Sequence, residues 1–365
     1  MAETKNIAFC LTLWTDTNYN DSVFKKGIVT LNFQVSDNGG GIDEIKVTQN
    51  GKRIISDFKQ NKKVKRGRRL NESLELMLVA GNNKIQISAF SQGRIESNII
   101  SQNIIYQSNE NLPDCYVLTI GINKYKNESL NLNYAKPDAK AFSNVIKKHS
   151  KNLFNSMTFY NLIDNEATKE HIINAINDIA SKAKPKDVFM FYYAGHGSMI
   201  GTDFYFIPTN CIRIYDLTDL TDNALDAEYM QKKFSLIKAL KQVMILDACQ
   251  SGGATEVLAQ RGAVKEKAIA QLSRSAGIHV LASAGSEQFA VEFKSLGHGL
   301  FTYILLDALN GSADGSPLDG KITVYELKSY LDDQVPEYTS KFKGIRQYPY
   351  SYSGGNDFPL TLDEK

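Results

Sequence analysis

The chain contains one histidine and one cysteine that each follow a short, strongly apolar run. His196 stands in the segment 192–197 (YYAGHG), and Cys249 stands in the segment 246–253 (LDACQSGG). A thiol attacks a carbonyl carbon after conversion to thiolate, which requires a proton acceptor within reach. Imidazole has the intrinsic pKa for that exchange. The two residues therefore predict a cysteine–histidine catalytic dyad.

Both apolar runs have the composition of buried parallel strands. Residues 187–194 and 242–246 are too short and too β-rich for independent helices, and glycine follows each run. In an open α/β sheet the carboxyl ends of such strands share one edge, where ligand crevices form. We therefore expect His196 and Cys249 to leave neighbouring strands at that edge.

The glycines around the dyad suggest how a substrate could approach. Gly195 and Gly197 flank the histidine, and the glycine pair 252–253 follows the cysteine. We expect these glycines to leave the backbone uncluttered beside a substrate carbonyl. The backbone N–H groups of Gly197 and Cys249 are then the candidate donors to an oxyanion.

Composition describes an ordinary globular chain. Its 365 residues suffice for two or three domains, and a formal net charge of +2 gives no global field that would favour nucleic acid or an anionic membrane as the main partner. No apolar stretch approaches the ~20 residues needed to cross a bilayer, and the first residues do not resemble a signal peptide. The four cysteines are far apart, which argues against a zinc cluster and a disulfide framework. We expect a soluble, cytoplasmic protein.

The periodicity of the sequence changes near residue 110. Residues 1–108 alternate with period two and carry hairpin turn signals, which predicts a small all-β sandwich of the immunoglobulin-like kind. Residues 109–114 form a polar linker. Residues 115–365 alternate strand and helix patterns, with one helix near residues 223–240 between the two dyad strands. This predicts an α/β domain with a mostly parallel sheet and helices on both faces.

From Cys115 onward the chain resembles the caspase and metacaspase family of cysteine peptidases. The matching segments are 121–125 (GINKY), 132–139 (LNYAKPDA), the histidine segment around His196 and 247–252 (DACQSG). The resemblance does not extend to the β domain. It implies a caspase-like fold in which Cys249 is the nucleophile and His196 is the proton shuttle.

The residue two positions before the cysteine separates branches of that family. Caspases that cut after aspartate carry Gln-Ala-Cys there, whereas this chain carries Asp247, as metacaspases and their bacterial relatives do. In that branch this aspartate and the one at Asp138 form an acidic pocket for arginine or lysine, whose charges such carboxylates match. The resemblance thus implies cleavage after basic residues. Gln250 departs from the branch, which often has histidine there, without an evident chemical loss.

No cofactor is required for cysteine–histidine chemistry, and the sequence leaves calcium dependence open. Relatives often bind calcium through a cluster of aspartates. Four aspartates of this chain suggest such a cluster, but the sequence does not show which of them correspond to the calcium ligands of the relatives. The four are Asp216, Asp219, Asp222 and Asp226. The segment 319–326 (DGKITVYE) copies the second half of an EF-hand loop, but Gly315 and Pro317 stand where ligands should be. We interpret this segment as a turn and a helix capping box.

Two basic stretches bear on the expected specificity. Residues 59–69 contain seven basic side chains and are interpreted as an exposed loop, since nucleic-acid binding would need aromatic partners that are not evident nearby. Residues 261–274 follow the nucleophile where caspases carry the linker between their subunits. The candidate self-cleavage residues there are Arg261, Lys265, Lys267 and Arg274.

The remaining histidines have weaker contexts than His196. His298 lies between two glycines and is interpreted as a turn residue near the active-site face, and the other three are interpreted as structural. The sequence therefore predicts a cysteine endopeptidase that cuts after arginine or lysine in protein or peptide substrates. The β domain could receive an upstream activator. Two alternatives stay open, namely a silent interaction scaffold and a transpeptidase or ligase that uses the same acyl-enzyme.

Overall fold

The computed structural model describes residues 13–15, 22–37, 41–54, 69–108, 111–201, 203–250, 277–283, 297–344 and 346–363. For residues 13–15, 249, 250 and 343 it describes the backbone alone. The chain divides into two compact units, Met1–Glu110 and Asn111–Lys365. In the described part of the chain, no helix has both the length and the apolar character needed to span a membrane.

The first unit is built from strands. They are β1 (Leu13–Thr15), β2 (Ser22–Phe24), β3 (Ile28–Ser36), β4 (Ile42–Gln49), β5 (Lys52–Arg53), β6 (Arg69–Met77), β7 (Gly81–Ser91) and β8 (Ile100–Tyr106). One sheet has the order β1-β3-β6, and the other has the order β2-β8-β7-β4-β5.

Alternation of apolar residues explains how these sheets share a core. In β3 every second side chain is buried, from Val29 to Val35. Apolar side chains of both sheets join in one cluster, which includes Leu31, Ile87 and Ile104. The predicted all-β sandwich is confirmed, because two sheets that each bury one face against the other have this architecture.

The second unit alternates strands and helices. Its strands are β9 (Cys115–Gly121), β10 (Met157–Ile163), β11 (Val188–Ile200), β12 (Asp203–Phe206), β13 (Leu225–Asp226), β14 (Lys241–Gln250), β15 (His279–Ala282), β16 (Lys321–Thr323), β17 (Tyr350–Tyr352) and β18 (Pro359–Leu362). Its helices are α1 (Ala135–His149), α2 (Lys169–Lys182), α3 (Leu217–Asn223), α4 (Ala227–Leu236), α5 (Leu300–Asp307) and α6 (Val324–Lys343).

The main sheet has the order β10-β9-β11-β14-β15-β17, with β12 added to the far end of β11. Strands β9, β10, β11, β14 and β15 run parallel, whereas β12 and β17 pair antiparallel. One apolar layer joins the sheet to α2 and α4, and a second layer joins it to α1, α5 and α6. The predicted mostly parallel sheet with helices on both faces is confirmed.

Two predicted elements differ from those observed. The helix predicted near residues 223–240 is observed as α4, but the structure adds the shorter α3 before it, and β13 separates the two. The reason is a pair of caps: Asp216 accepts from the N–H of Asp219, and Asp226 accepts from the N–H of Tyr229, so each aspartate begins a helix. The dyad strands are also longer than predicted, because β11 continues to Ile200 and pairs with β12.

The segment 319–326 confirms its interpretation as a turn and a capping box. Thr323 Oγ1 accepts from the N–H of Glu326, while Glu326 Oε2 accepts from the N–H of Thr323. Asp319 accepts from the N–H of Lys321 and pairs with its ammonium at 2.8 Å. These carboxylates therefore serve the turn and the start of α6.

Candidate active site

His196 and Cys249 are direct neighbours across two parallel strands. The register of β11 and β14 pairs Ala194 with Asp247 and His196 with Cys249. Adjacent strands lie about 4.8 Å apart in a sheet. The two residues were expected beyond the ends of their strands, whereas both lie within them, since the pairing continues to Gly197 and Gln250.

The imidazole of His196 is buried and held by a backbone carbonyl. Its side chain lies among residues of the loop after β9, and Nε2 is 2.8 Å from the carbonyl oxygen of Leu130. A carbonyl oxygen only accepts, so Nε2 carries the proton. In the neutral ring Nδ1 is then the basic nitrogen. The contact with Leu130 thus fixes the tautomer that a proton acceptor needs.

Two buried tyrosines hold the backbone of His196. The N–H of His196 donates to Tyr125 Oη at 2.9 Å, and Tyr193 Oη donates to the carbonyl oxygen of His196 at 2.6 Å. The rings of Tyr125 and His196 are also in contact, with centroids 5.0 Å apart. Burial raises the pKa of Tyr193 well above its ordinary value, so the phenol stays protonated and remains a donor.

The glycines beside His196 have a different role from the one expected. A Cβ added at Gly195 would lie 2.8 Å from Tyr125 Oη, and one added at Gly197 would lie 2.6 Å from the ring of Phe204. These glycines make room for packed aromatic side chains of the protein. Packing against these aromatic side chains is enough to explain why glycine stands at both positions.

The two candidate oxyanion donors have different strand neighbours. Gly197 pairs with Phe206 on one side and with Gln250 on the other, so neighbouring strands border its backbone on both sides. Cys249 pairs with His196, and β15 joins β14 only between Val243 and Leu246 within the residues that the structure describes. This arrangement favours the N–H of Cys249 over that of Gly197.

Asp138 and Asp247 come together although they are distant in the chain. A Cβ added at Gly299 would lie 3.1 Å from Asp138 Oδ2 and 3.2 Å from Asp247 Oδ2, so both carboxylates border the same point. Asp138 lies in the first turn of α1, and Asp247 lies on β14 beside Cys249. They meet because α1 and α5 cover the same face of the sheet.

The start of α5 supplies the hydrogen bonds to both carboxylates. The N–H of Gly299 donates to Asp138 Oδ2 at 3.1 Å, and His298 Nδ1 lies 2.6 Å from Asp138 Oδ1. Thr302 Oγ1 donates to Asp247 Oδ2 at 2.7 Å and is also 2.6 Å from Tyr192 Oη. Two of these partners, Tyr192 and Thr302, are fully buried. The acidic pair is therefore held by the protein itself.

His298 is more than a turn residue, because its ring contacts a predicted site residue. Burial lowers the pKa of His298. Nδ1 is the donor in either protonation state, since the carboxylate accepts. The other histidines contact backbone carbonyls at distant places: His149 contacts Leu362, His171 contacts Glu166, and His279 contacts Asn356.

The other described thiols are poor nucleophiles. Burial raises the pKa of Cys115, and burial together with the Asp219 carboxylate raises the pKa of Cys211 to about 12. Neither residue supplies thiolate near neutral pH. Cys10 and the candidate self-cleavage residues lie outside the described residues. Those candidates are Arg261, Lys265, Lys267 and Arg274.

Three of the four aspartates considered for calcium have structural partners, and no side-chain contact with another described residue assigns a role to Asp222. Asp219 accepts from the N–H groups of Ile212 and Arg213, and Asp216 and Asp226 cap helices. In the ranges that the structure describes, no group of three or more histidine, cysteine, aspartate or glutamate residues could hold a metal ion.

The sequence did not reveal several residues that shape the site. Leu130 acts through its backbone carbonyl, and because every residue has one, the residue type gives no sign of this role. Tyr125 belongs to the GINKY segment, but its contact with His196 depends on the loop that follows β9. Asn123 shapes this loop by donating to the carbonyl oxygen of Asn133 and accepting from the N–H of Lys136. The polar side chains of the GINKY segment were the signal in the sequence that could have indicated these contacts.

Comparison with known proteins adds independent evidence. Residues 114–357 match the family model of the caspase domain. The chain belongs to the caspase-domain family. Its second unit therefore has a cysteine-peptidase-like fold, and the family implies protein substrates. No curated protein matches the chain.

Similarity to solved structures is also found for this caspase-domain protein. It is similar to protein GSU0716 from Geobacter sulfurreducens, with 16% identity, 67% of this chain and 94% of that chain covered, and a TM-score of 0.45. It is also similar to the fibronectin(III)-like modules of Clostridium thermocellum CbhA, with 18% identity, 27% of this chain and 100% of that chain covered, and a TM-score of 0.21.

Proposed function

We propose that this caspase-domain protein is a cysteine endopeptidase that hydrolyses peptide bonds after arginine or lysine. The observation that carries the proposal is the pairing of Cys249 with His196 in the register of β14 and β11, with His196 held in one tautomer by Leu130. Membership of the caspase-domain family supports the reaction class. The acidic pair supports the specificity.

The proposed reaction proceeds through a thioester. Nδ1 of His196 takes the proton of the Cys249 thiol, and the thiolate attacks the carbonyl carbon of the scissile bond. The backbone N–H group of Cys249 is the proposed donor to the oxyanion, since neighbouring strands border the backbone of Gly197 on both sides. The C–N bond then breaks as His196 returns the proton to the leaving amine. Water attacks the thioester while His196 takes its proton, which releases the acid and restores the thiol.

The specificity rests on Asp138 and Asp247. Two carboxylate oxygens near Gly299 create a site of negative charge beside the strand that carries Cys249. A guanidinium or an ammonium group satisfies such a site with charge-assisted hydrogen bonds. An aspartate side chain would instead be repelled. Arginine and lysine are therefore the proposed residues before the cut.

Activation by self-cleavage is part of the same proposal. The basic residues of 261–274 follow the nucleophile in the chain, and a pocket that accepts basic side chains could accept one of them. The candidates are Arg261, Lys265, Lys267 and Arg274. Intact mass measured before and after incubation of the purified protein tests this step. An unchanged mass in the active enzyme would exclude it.

Hydrolysis of matched fluorogenic peptides tests the main proposal. Peptides that end in Arg, Lys or Asp are compared with and without calcium, for wild type, Cys249→Ala and Asp247→Asn. We expect turnover after Arg and Lys that disappears in Cys249→Ala. Loss of one carboxylate charge in Asp247→Asn should reduce kcat/KM for the basic peptides by roughly tenfold or more, since charged hydrogen bonds contribute about 1.5–3 kcal/mol each.

Two further measurements separate the alternatives. A silent scaffold would resist covalent labelling of Cys249 by a peptidyl electrophile that ends in arginine. A transpeptidase would pass the acyl group to an added amine in competition with water. Turnover after aspartate alone would contradict the roles proposed for Asp138 and Asp247.

A further inference from the structure

Asp138 is covered by a side chain of the protein itself. The carboxylate is almost completely buried, with 3% of its side chain exposed, whereas the side chain of His298 is 26% exposed. Nδ1 of His298 is 2.6 Å from Oδ1, and the N–H of Gly299 donates to Oδ2 at 3.1 Å. Both carboxylate oxygens of Asp138 are thus engaged by adjacent residues of one turn.

This arrangement matters for the binding of a basic side chain. A guanidinium pairs best with a carboxylate when two parallel N–H donors reach both oxygens. The imidazole of His298 already donates to one of them and lies on the more exposed side of the contact. The turn is set by Gly297, whose φ of +69° favours glycine. His298 and a substrate guanidinium therefore compete for Asp138.

We propose that His298 is a specificity-determining residue that occupies Asp138 in the free protein and yields this carboxylate to the basic side chain of the substrate. The inference rests on the proposed preference for arginine and lysine. A bidentate guanidinium replaces the donor that Asp138 loses and adds a second hydrogen bond, whereas a single ammonium replaces it with less directional contact. Displacing His298 costs the same free energy whichever basic side chain takes its place, so His298 lowers the affinity for arginine and lysine by the same factor and leaves the affinity for neutral side chains unchanged.

A binding experiment tests the competition directly. The protein carries Cys249→Ala so that no peptide is consumed, and the probe is a fluorescein-labelled tetrapeptide that ends in arginine amide. Its matched neutral counterpart ends in citrulline amide. Fluorescence polarisation gives Kd for this background, for added His298→Ala and for added His171→Ala, which replaces an exposed histidine at the start of α2.

The expected result is a lower Kd for the arginine peptide in His298→Ala, by about fivefold or more, which corresponds to about 1 kcal/mol or more. The citrulline peptide and the His171→Ala control should change little. The Kd of the matched lysine peptide should fall by a similar factor in His298→Ala, because both basic side chains displace the same imidazole. His298→Gln, which keeps an amide donor, should give an intermediate Kd and guards against misfolding of the alanine variant.

Two outcomes would overturn the inference. An equal or higher Kd in well-folded His298→Ala and His298→Gln would show that the imidazole does not compete. Absence of arginine-peptide binding in every variant would show that no basic side chain reaches Asp138. Turnover of the arginine substrate by the enzyme with intact Cys249 separates the two proposals, because it can persist when the His298 inference fails. If both turnover and binding are absent, both proposals fail.

Discussion

His196 donates its Nε2–H to the carbonyl oxygen of Leu130 at 2.8 Å, so a backbone group of the loop after β9 orients the histidine. Leu130 ends a short 3-10 turn, Glu128–Leu130, that Asn127 caps through its side chain. The proton acceptor of the proposed dyad thus depends on a loop that contributes no charged side chain to it.

Replacing Tyr125 with phenylalanine should impair catalysis. The change removes the acceptor for the buried N–H of His196, and a buried unsatisfied group costs about 1–3 kcal/mol. We expect kcat/KM for the basic peptide to fall by about tenfold. Tyr160→Phe is the matched control, since Tyr160 lies on the edge strand β10 and donates to Asp178 of α2. Equal activity of both variants would contradict the role of Tyr125.

Replacing Gly195 with alanine should destabilise the caspase domain. The new Cβ would lie 2.8 Å from Tyr125 Oη and 3.1 Å from Tyr193 Oη, so one of the tyrosines must move. Overpacking of this kind costs about 1–3 kcal/mol. Gly93→Ala is the control, because its Cβ would meet nothing closer than Ser91 Oγ at 3.7 Å. Thermal unfolding measures both. A Tm for Gly195→Ala equal to wild type would show that the tyrosines adjust freely.

Replacing Thr302 with valine should weaken the binding of basic substrates. Valine keeps the shape of threonine but removes the donor to Asp247 Oδ2 and the partner of Tyr192 Oη. We expect KM for the arginine peptide to rise by roughly tenfold while kcat changes less, because the fully buried Thr302 hydroxyl orients Asp247 instead of competing with the substrate. A charged hydrogen bond of this kind contributes about 1.5–3 kcal/mol. Thr302→Ser should restore KM. If Thr302 has a purely structural role, Thr302→Val will have a lower Tm than wild type but will not show this selective change in KM.

Replacing Lys52 with methionine should stabilise the β domain near neutral pH. Burial lowers the pKa of Lys52 to about 7, whereas the unfolded chain has the ordinary value near 10.5. Between these values the unfolded state binds more protons, so the unfolding free energy of wild type rises with pH through this window. We expect Lys52→Met to be more stable at pH 7 by about 2–4 kcal/mol and to lose most of this advantage by pH 10.5.

Urea unfolding at the two pH values measures this difference. The fluorescence of Trp14, the only tryptophan of the chain, follows the β domain because Trp14 belongs to β1. Lys46→Met is a control, since Lys46 is partly exposed and lies on the neighbouring strand β4. A stability gain that does not depend on pH would show that desolvation of the Lys52 ammonium is not its cause.

The sequence by itself determined the architecture of both units and the strands that carry the proposed dyad. Strands β11 and β14 contain the apolar residues of the two predicted runs, and the segment 319–326 forms the predicted capping box. These features follow from short-range rules: period-two burial, apolar strand runs and side-chain caps. The proximity of His196 to Cys249 also followed, because carboxyl ends of neighbouring parallel strands share one edge.

Tertiary structure alone decided how the side chains of the site are held. Leu130 reaches His196 through a loop, and His298 and Thr302 reach Asp138 and Asp247 through the start of a helix far along the chain. Such contacts depend on the packing of separate elements, which residue spacing does not encode. Spacing gives the period of an element and its buried face, whereas the angle and distance between elements come from the packed core.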